Sequence, residues 1–355
     1  MNNWLDKKLN EFNKLQTYVK PEKTYGLKMN SNENLVISKN LSKKILLNAI
    51  KNIDLREYPL EQIDEFYDQL SKYTKINKKY LAIGNGSDQI IDLILSIFGR
   101  DQKITTFVPT FSYFLDRCKL YNISINEVEL NSSDNSLDIN EFIRSGKKSK
   151  IVYICSPNNP TSNQVDKKDI IRVLKSLKDS LILIDEAYVE FGKYNIASEI
   201  RNFENLIVLR TLSKGCGLAG ARLGYLISNE KFAALFKSVI QYPYPINTLS
   251  LIIGRQLLSD VKYIENSIKA IKKERKRILF RLSSEKNIKV YRSDANFIFV
   301  QILDNKIYNE ILNRFKKEKI SVKVLGNIKG RVGSYIRITI GTKKMNDKLL
   351  VAMCV

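Results

Sequence analysis

Short apolar runs alternate with helical stretches between about residue 80 and residue 225. The runs are rich in β-branched residues, as strands are, and the stretches between them have the apolar spacing of helices. Such repetition favours an α/β fold with a mainly parallel sheet and helices on both faces. The predicted strands span residues 80–83, 103–108, 150–155, 181–184 and 206–209.

Outside this region the pattern changes on both sides. The chain begins with an irregular arm that carries a short leading helix, and helical spacing at 41–50 and 63–73 precedes the first strand. A long basic helical region at about 253–284 is followed by alternating or β-branched runs, which predict a smaller α+β domain. We therefore expect an N-terminal arm at residues 1–35, a large domain at 36–250 and a small domain at 251–355.

Polar and aromatic candidates come where the predicted strands end. In an open parallel sheet, ligands bind beyond the carboxyl ends of the strands, so side chains placed there converge on one site. A single residue of this kind is usually a cap or a turn residue, and only the shared position indicates a function. The residues concerned are Phe111, Asn159, Asp185, Tyr188, Ser213 and Lys214.

The loop after the strand at 206–209 combines an amine, two hydroxyls and an arginine. Lys214 is the candidate nucleophile, and Thr211, Ser213 and Arg222 are candidate phosphate ligands beside it. A lysine forms a Schiff base only when neutral, and a nearby cation such as Arg222, or exclusion from water, lowers its pKa. A solvated lysine in a flexible turn is the ordinary alternative. Together with the neighbouring candidates, the loop suits pyridoxal phosphate.

A glycine turn follows the strand at 80–83 and opens a mostly apolar helix at 89–98. Ser87 or Asp88 would cap this helix, so that its free N–H groups face Gly86 and the rest of the turn. That geometry holds a phosphate, although a glycine turn before a helix is by itself more often only a turn.

Asp185 gains a definite role if pyridoxal phosphate binds here. Its negative charge would keep the pyridine nitrogen protonated, which makes the ring an electron sink. Asn159 and Tyr188 would hydrogen-bond the phenolate oxygen of the ring. Phe111 would either stack on the ring or belong to the core.

Arg337 lies in a predicted strand at 334–340, with apolar residues on either side. An arginine in such a strand needs an anion, and its planar fork can hold the carboxylate of a substrate. A salt bridge to an aspartate or glutamate is the alternative.

Composition narrows the chemistry further. The chain has 355 residues, 44% of them apolar, carries a formal net charge of +22 and contains no histidine, so acid–base work falls to lysine, tyrosine or carboxylates. Its four cysteines are widely spaced, which indicates neither a disulfide framework nor a zinc site and fits a reducing cytoplasm. The start lacks an apolar signal segment, and no run is long enough to span a bilayer. Lysines scattered without aromatic interleaving indicate solvated surface more than a nucleic-acid site.

Several short motifs occur together along nearly the whole chain. They are Ser31-Asn-Glu-Asn34, Tyr58-Pro59, Ser156-Pro-Asn-Asn-Pro-Thr161, Asp185-Glu-Ala-Tyr188, Thr211-Leu-Ser-Lys214 and Arg337-Ile-Thr-Ile-Gly-Thr342. In this combination the chain resembles the fold-type I pyridoxal-phosphate-dependent aminotransferases, and among them the histidinol-phosphate aminotransferase family. The resemblance implies a cytoplasmic enzyme of amino-acid biosynthesis with the cofactor pyridoxal 5'-phosphate.

The resemblance also implies a role for each candidate. Lys214 would be the Schiff-base lysine and proton shuttle, Asp185 the partner of the ring nitrogen, and Phe111 the residue on the ring face. Asn159 and Tyr188 would bind the phenolate oxygen. The implied phosphate ligands are the backbone of Ser87 and Asp88 with Thr211, Ser213 and Arg222, and Tyr58 from a second subunit. Such shared sites imply an obligate homodimer.

The implied reaction moves the amine of glutamate to a small phosphorylated keto compound, such as imidazole acetol phosphate, in two half-reactions. Arg337 would bind the carboxylate of the donor, and Asn32 and Tyr18 would also contact the substrate. Lys323 stands where the family has an arginine that binds the substrate phosphate. A lysine can hold a phosphate as a point charge, without the bidentate geometry of arginine.

Two other functions remain open at this stage. A decarboxylase of phosphoserine or phosphothreonine uses the same fold and electron sink, because the orientation of the substrate decides which bond breaks. A non-catalytic or nucleic-acid-binding protein on this fold is suggested by the basic charge alone. The presence of Lys214, Asp185 and Asn159 argues against it.

Overall fold

The computed structural model describes residues 3–13, 26–51 and 53–354, which form two β-sheets surrounded by helices. The strands are β1 (Leu27–Met29), β2 (Leu81–Asn85), β3 (Lys103–Val108), β4 (Ser124–Glu129), β5 (Ile151–Cys155), β6 (Leu181–Asp185), β7 (Leu206–Thr211), β8 (Leu223–Ile227), β9 (Ile288–Val290), β10 (Phe297–Ile302), β11 (Ile320–Gly326) and β12 (Ser334–Thr339). The α-helices are α1 (Asn3–Asn13), α2 (Lys39–Ile50), α3 (Leu60–Thr74), α4 (Gly86–Ile94), α5 (Ser112–Leu120), α6 (Ile139–Gly146), α7 (Lys167–Ser176), α8 (Glu230–Leu235), α9 (Thr248–Ser259), α10 (Lys262–Leu282), α11 (Asn305–Lys317) and α12 (Lys343–Met353).

The larger sheet has seven strands in the order β2-β8-β7-β6-β5-β3-β4. Its strands run parallel except β8, which is antiparallel to both of its neighbours, β2 and β7. The central strands β5 and β7 are buried along their whole length, which explains why they read as continuous apolar runs. The mainly parallel α/β sheet predicted from the sequence is confirmed.

Alternate residues of the central strands pack into two separate cores. Leu206 and Val208 of β7 belong to one apolar cluster, together with residues of α3, α6, α7 and α9. Ile207 and Leu209 belong to another, together with residues of α4 and α5. Since successive side chains of a strand point to opposite faces, the sheet is covered by helices on both faces.

The smaller sheet has five strands in the order β1-β11-β12-β10-β9. Its apolar residues form a core with α10, α11 and α12. Because β1 pairs in parallel with β11, this sheet is built from both ends of the chain. The boundaries at residues 36 and 251 stay a prediction.

Three strands and one helix start differ from the sequence analysis. β1, β4 and β8 were not expected, and α4 begins at Gly86 instead of residue 89. The N-cap of α4 is Asn85, without a side-chain cap bond, so the prediction that Ser87 or Asp88 caps this helix is wrong. Both residues instead lie in its first turn, where their own N–H groups are free of helical partners.

The strand ends meet as expected. Cys155 of β5 is in register with Asp185 of β6, and Asp185 is in register with Leu209 of β7. The segments that follow these strands therefore start from one edge of the larger sheet. Within residues 3–13, 26–51 and 53–354, no helix combines the length and apolar character needed to cross a membrane.

Candidate active site

A cleft of about 860 Å³ opens at this edge of the sheet. Both sheets contribute to it, since its lining includes the ends of β6 and β7 as well as residues of β11, β12 and α11. The sequence-predicted residues that line it are Asn32, Ser87, Asp88, Phe111, Asn159, Asp185, Tyr188, Thr211, Ser213, Lys214, Arg222, Lys323 and Arg337. Side chains separated by more than 300 positions in the chain thus share one cleft.

Lys214 presents a half-buried amine to the cleft. Its Nζ donates a hydrogen bond to the backbone oxygen of Ser31 at 2.9 Å. Burial, followed by the positive charge of Arg337, lowers the pKa of Lys214 to about 8. Arg222 acts in the same direction but is the least of the five causes. Exclusion from water and Arg222 are the causes expected from the sequence, but among the positive charges Arg337 has the stronger effect.

Asp185 is buried at the end of β6, and its two carboxylate oxygens have separate partners. Oδ2 accepts a hydrogen bond from the hydroxyl of Tyr153 at 2.7 Å, and Oδ1 accepts one from the backbone N–H of Ala187 at 3.0 Å. Burial raises the pKa of Asp185 to about 6, although both hydrogen bonds act to lower it. The carboxylate is therefore fixed in position and gains from a cationic partner.

The turn before α4 brings backbone close to an arginine. Gly86 has a φ of 78°, a left-handed conformation that favours glycine. A Cβ at this position would lie 2.4 Å from Nη2 of Arg222, so a side chain would obstruct the guanidinium. The buried Ser87 follows in the first turn of the helix, where free N–H groups and the helix dipole favour an anion.

Two hydroxyls and an ion pair complete this corner of the cleft. Nη2 of Arg222 donates to Oδ2 of Asp88 at 2.8 Å. The Thr211 hydroxyl lies 2.9 Å from the Ser213 hydroxyl and also accepts a bond from the Ser213 backbone N–H at 3.1 Å. Backbone N–H groups, hydroxyls and a guanidinium thus converge, which is the donor set that a phosphate requires.

Arg337 contacts two neutral partners. Nη1 donates to Oδ1 of Asn159 at 2.6 Å, and Nη2 donates to the backbone oxygen of Asn30. Nε is buried and has no hydrogen-bond partner among the described residues. No carboxylate of the described chain pairs with Arg337, so the salt-bridge alternative from the sequence is not what the structure places there.

Tyr188 and Asn32 contact each other in the cleft. Nδ2 of Asn32 lies 3.0 Å from the Tyr188 hydroxyl, which accepts its hydrogen bond. Asn32 is fixed by Thr339, whose hydroxyl contacts both its backbone N–H and its side-chain oxygen. Burial raises the pKa of Tyr188, so this hydroxyl stays protonated near neutral pH. The ring of Tyr188 lies 5.8 Å from Nζ of Lys214.

Phe111 and Lys323 lie at different depths of the cleft. Phe111 is half buried, precedes α5 directly and packs on Tyr113 with ring centroids 5.9 Å apart. Lys323 is an exposed residue of β11, in register with Arg337 of β12. Near Lys323 the lining becomes apolar, with Leu312, Phe315 and Val322 among its residues.

Tyr58 does not line the cleft of its own chain. Tyr58 is 72% exposed and stacks on Tyr244, with ring centroids 4.4 Å apart. Tyr58 lies on the connection before α3, next to Pro59, which is the N-cap residue of that helix. Tyr18 lies outside the described residues.

Tyr153 and the backbone oxygens of Asn30 and Ser31 are parts of the site that the sequence did not predict. Tyr153 is the one residue of β5 with a hydroxyl, among aliphatic residues and a cysteine. That hydroxyl in a buried strand is the only feature of the sequence that could have indicated a role in the site. The oxygens of Asn30 and Ser31, which accept bonds from Arg337 and Lys214, have no signal in residue type at all.

Comparison with known proteins agrees with this geometry. The sequence profile of the family "Aminotransferase class I and II" matches residues 24–353. The chain belongs to this family. Among curated aminotransferases, it is 32% identical over 334 residues to a histidinol-phosphate aminotransferase of Ruminiclostridium cellulolyticum, covering 93% of this chain and 92% of that protein.

Solved aminotransferase structures have the same fold. The histidinol-phosphate aminotransferase of Clostridium acetobutylicum superposes with a TM-score of 0.81 at 30% identity, over 92% of this chain and 98% of that one. The Sinorhizobium meliloti enzyme of the same name, in complex with pyridoxal-5'-phosphate, superposes with a TM-score of 0.85 at 20% identity, over 97% of this chain and 95% of that one. The expected family and fold type are thereby confirmed.

Proposed function

We propose that this aminotransferase uses pyridoxal 5'-phosphate to move the amine of glutamate to a small phosphorylated keto compound. The observation that carries the proposal is the shared cleft of Lys214, Asp185 and Arg337, which offers an amine, a buried carboxylate and a carboxylate-binding guanidinium together. Each has a distinct chemical task in transamination, and none forms an ion pair with another of the described residues.

The cleft fits pyridoxal phosphate on its own chemistry. A buried carboxylate with a pKa raised to about 6 gains from the protonated nitrogen of a pyridine. The corner formed by Gly86, Ser87 and Arg222 provides the donors and the close backbone approach that a phosphate needs. Asn159 and Tyr188 support binding of the phenolate oxygen between these two ends.

The cofactor, when bound, supplies a ring that accepts the electron pair of the substrate's α-carbon. The remaining tasks belong to the chain. Lys214 binds the cofactor covalently and moves the proton at the α-carbon, because burial keeps part of its amine neutral near pH 8. Asp185 holds the positive charge at the ring nitrogen, and Arg337 orients the substrate by its carboxylate.

The acceptor is proposed from the family relatives and from Lys323. Histidinol-phosphate aminotransferases carry a phosphate on their substrate, and Lys323 supplies a cation in the same cleft as Arg337. Imidazole acetol phosphate is the acceptor that this relationship favours. Asn32, and Tyr18 of the N-terminal region, are proposed as further substrate contacts.

Phosphoamino-acid decarboxylation is the weaker alternative. The curated relatives that match nearly the whole chain at about 32% identity are named aminotransferases.

We also propose a homodimer with shared sites. The side chain of Tyr58 is largely exposed to solvent in the single chain. Nearby in the sequence lie further exposed apolar side chains, namely Leu47, Ile50, Leu55 and Leu60. Exposed apolar side chains of this kind support burial against a second copy, with Tyr58 reaching the partner's cofactor phosphate. The four cysteines are free, which supports a reducing compartment such as the cytoplasm.

The test is an absorbance spectrum of the protein with pyridoxal phosphate, before and after addition of L-glutamate. We expect glutamate to remove the absorbance of the lysine-bound cofactor and to yield one equivalent of 2-oxoglutarate per site. An unchanged spectrum, followed by release of carbon dioxide from phosphoserine or phosphothreonine, would establish the decarboxylase instead.

A further inference from the structure

A carboxylate that is not part of the cleft lining packs against the lysine loop. A Cβ added to Gly215 would lie 2.7 Å from Cδ, 2.8 Å from Cγ and 2.9 Å from Oε2 of Glu190. The Glu190 carboxyl group therefore touches the backbone of the residue that follows Lys214. Gly215 does not have a positive φ, so lack of space, and not backbone conformation, requires glycine here.

The Gly215 peptide is held from another direction as well. Nδ2 of Asn34 donates to the Gly215 backbone oxygen at 2.9 Å and also contacts the Ser267 hydroxyl. Glu190 and Asn34 thus both contact Gly215, the residue directly after Lys214. Asn34 satisfies the backbone oxygen of Gly215 by a hydrogen bond, whereas Glu190 supports Gly215 by steric contact.

Among the described residues, one oxygen of the Glu190 carboxyl group lacks the hydrogen-bond partner that a buried structural carboxylate normally has. Its Oε2 is buried and has no hydrogen-bond partner in the described part of the chain. The nearest strong cation, Arg210, donates two hydrogen bonds to Glu186 instead, at 2.7 and 2.9 Å. The titratable and charged groups that face Glu190 are Arg210, Lys272, Glu186, Tyr73, Tyr225 and Cys216.

We propose that Glu190 is a positioning residue, whose carboxyl group supports the Gly215 peptide and thereby sets where the amine of Lys214 stands in the cleft. The role rests on the proposed function of Lys214 and adds a group that touches neither substrate nor cofactor. The neutral carboxyl group packs against the loop without a counter-charge. Its ionisation places a negative charge behind the loop, where Oε2 has no hydrogen-bond donor among the described residues and Arg210 is already paired with Glu186.

This arrangement makes the support sensitive to pH near neutrality. Burial raises the pKa of Glu190 to about 7; Arg210 and Lys272 oppose this shift, and Glu186 adds to it. A carboxyl whose pKa is higher in the folded state stabilises the fold at acidic pH, and this contribution is lost as the pH rises through the folded value. Glutamine has nearly the same shape and does not ionise.

The first test follows attachment of the cofactor to Lys214. The full chain, freed of cofactor, is mixed with pyridoxal phosphate, reduced with borohydride after timed intervals and analysed by peptide mass spectrometry. We expect Glu190→Ala to slow attachment on the order of 10- to 100-fold, because small displacements of a reacting group are costly, and Glu190→Gln to restore most of the loss. An unchanged rate in Glu190→Ala overturns the inference. Absence of attachment in the unaltered protein overturns the proposed function instead.

The second test is independent of catalysis and of cofactor. Thermal unfolding of the cofactor-free chain is measured from about pH 5 to pH 8, and the unaltered protein should lose stability relative to Glu190→Gln across this range. Parallel curves would show that Glu190 does not ionise there.

A third comparison tests the contact itself. Gly215→Ala should slow attachment because its Cβ meets Glu190, and Glu190→Ala introduced into that variant should recover part of the rate. Failure of the double variant to recover would show that Glu190 does not act through Gly215.

Discussion

Lys323 and Arg337 lie directly opposite each other on the antiparallel strands β11 and β12, and both line the cleft. Like charges in such a cross-strand position repel each other. Neither side chain pairs with a carboxylate of the described residues. An anion that enters the cleft near this pair relieves the repulsion, which favours substrates with more than one negative group.

Replacement of Lys323 should separate the two halves of the reaction. We expect Lys323→Ala to lower kcat/KM for the phosphorylated acceptor about tenfold, as for loss of one charge-assisted hydrogen bond, and to change the glutamate half-reaction far less. Lys323→Arg is the matched control, because its fork should bind phosphate at least as well. Equal weakening of both half-reactions would remove Lys323 from the phosphate site.

Tyr153 should control the ionisation of Asp185. Its hydroxyl lowers the pKa of a carboxyl that burial has raised to about 6, so Tyr153→Phe should raise this pKa further. Cofactor binding needs the ionised carboxylate, so affinity is lost as the pH is lowered. In Tyr153→Phe this loss should begin at a higher pH than in the unaltered protein. Cofactor titrations between pH 5 and 8 measure the shift, and superimposable curves would contradict it.

Asp185→Asn isolates the charge of the same group. The raised pKa of Asp185 means that its contribution to stability is present at acidic pH and is lost as the pH rises through about 6. The variant should bind cofactor, lose most of its rate and, without cofactor, gain stability relative to the unaltered protein above pH 6. Unchanged turnover would place the ring nitrogen elsewhere.

The amine of Lys214 should set the pH dependence of cofactor attachment. With a pKa lowered to about 8, its neutral fraction grows as the pH rises through this value, so the attachment rate should rise and then level off. Arg337→Gln removes the strongest neighbouring positive charge and should move the rise to higher pH. Lys214→Ala is the control, in which attachment and turnover should both be absent.

Shared sites can be tested by mixing two inactive variants. Tyr58→Ala and Lys214→Ala should each be nearly inactive, because each damages every site of its own dimer. After subunits are mixed and allowed to redistribute, about one quarter of the sites would combine an intact Tyr58 with an intact Lys214. Recovery of no activity, in a mixture shown to form hybrids, would contradict the shared site.

The sequence predicted most of the larger sheet because its strands are buried on both faces and therefore appear as apolar runs. β4 escaped detection since it is largely polar, as its exposed edge position allows. β8 was not predicted because it follows the glycine-rich lysine loop directly, with no turn signal that would mark where a strand begins. It also runs antiparallel to both neighbours, which the pattern of a parallel sheet does not predict.

Those candidate residues of the cleft whose chemistry follows from the type of side chain could be predicted from the sequence. Lys214, Asp185 and Arg337 could be named in advance, but the charge that acts most on Lys214 could not. Arg337 is distant from Lys214 in sequence, and its charge acts on the lysine only because the two sheets pack together. Glu190 could not be singled out either, since its contact with Gly215 is a matter of space alone.

Arg337 already donates hydrogen bonds to Asn159 and Asn30 before any substrate arrives. Each of these two nitrogens carries a second N–H, so a carboxylate can bind without breaking the bonds already made. Nε is buried and has no partner among the described residues, which leaves the outer N–H groups to meet a ligand. Because the two existing bonds hold the plane of the guanidinium in advance, ligands should be selected by how well their carboxylate fits that fixed plane.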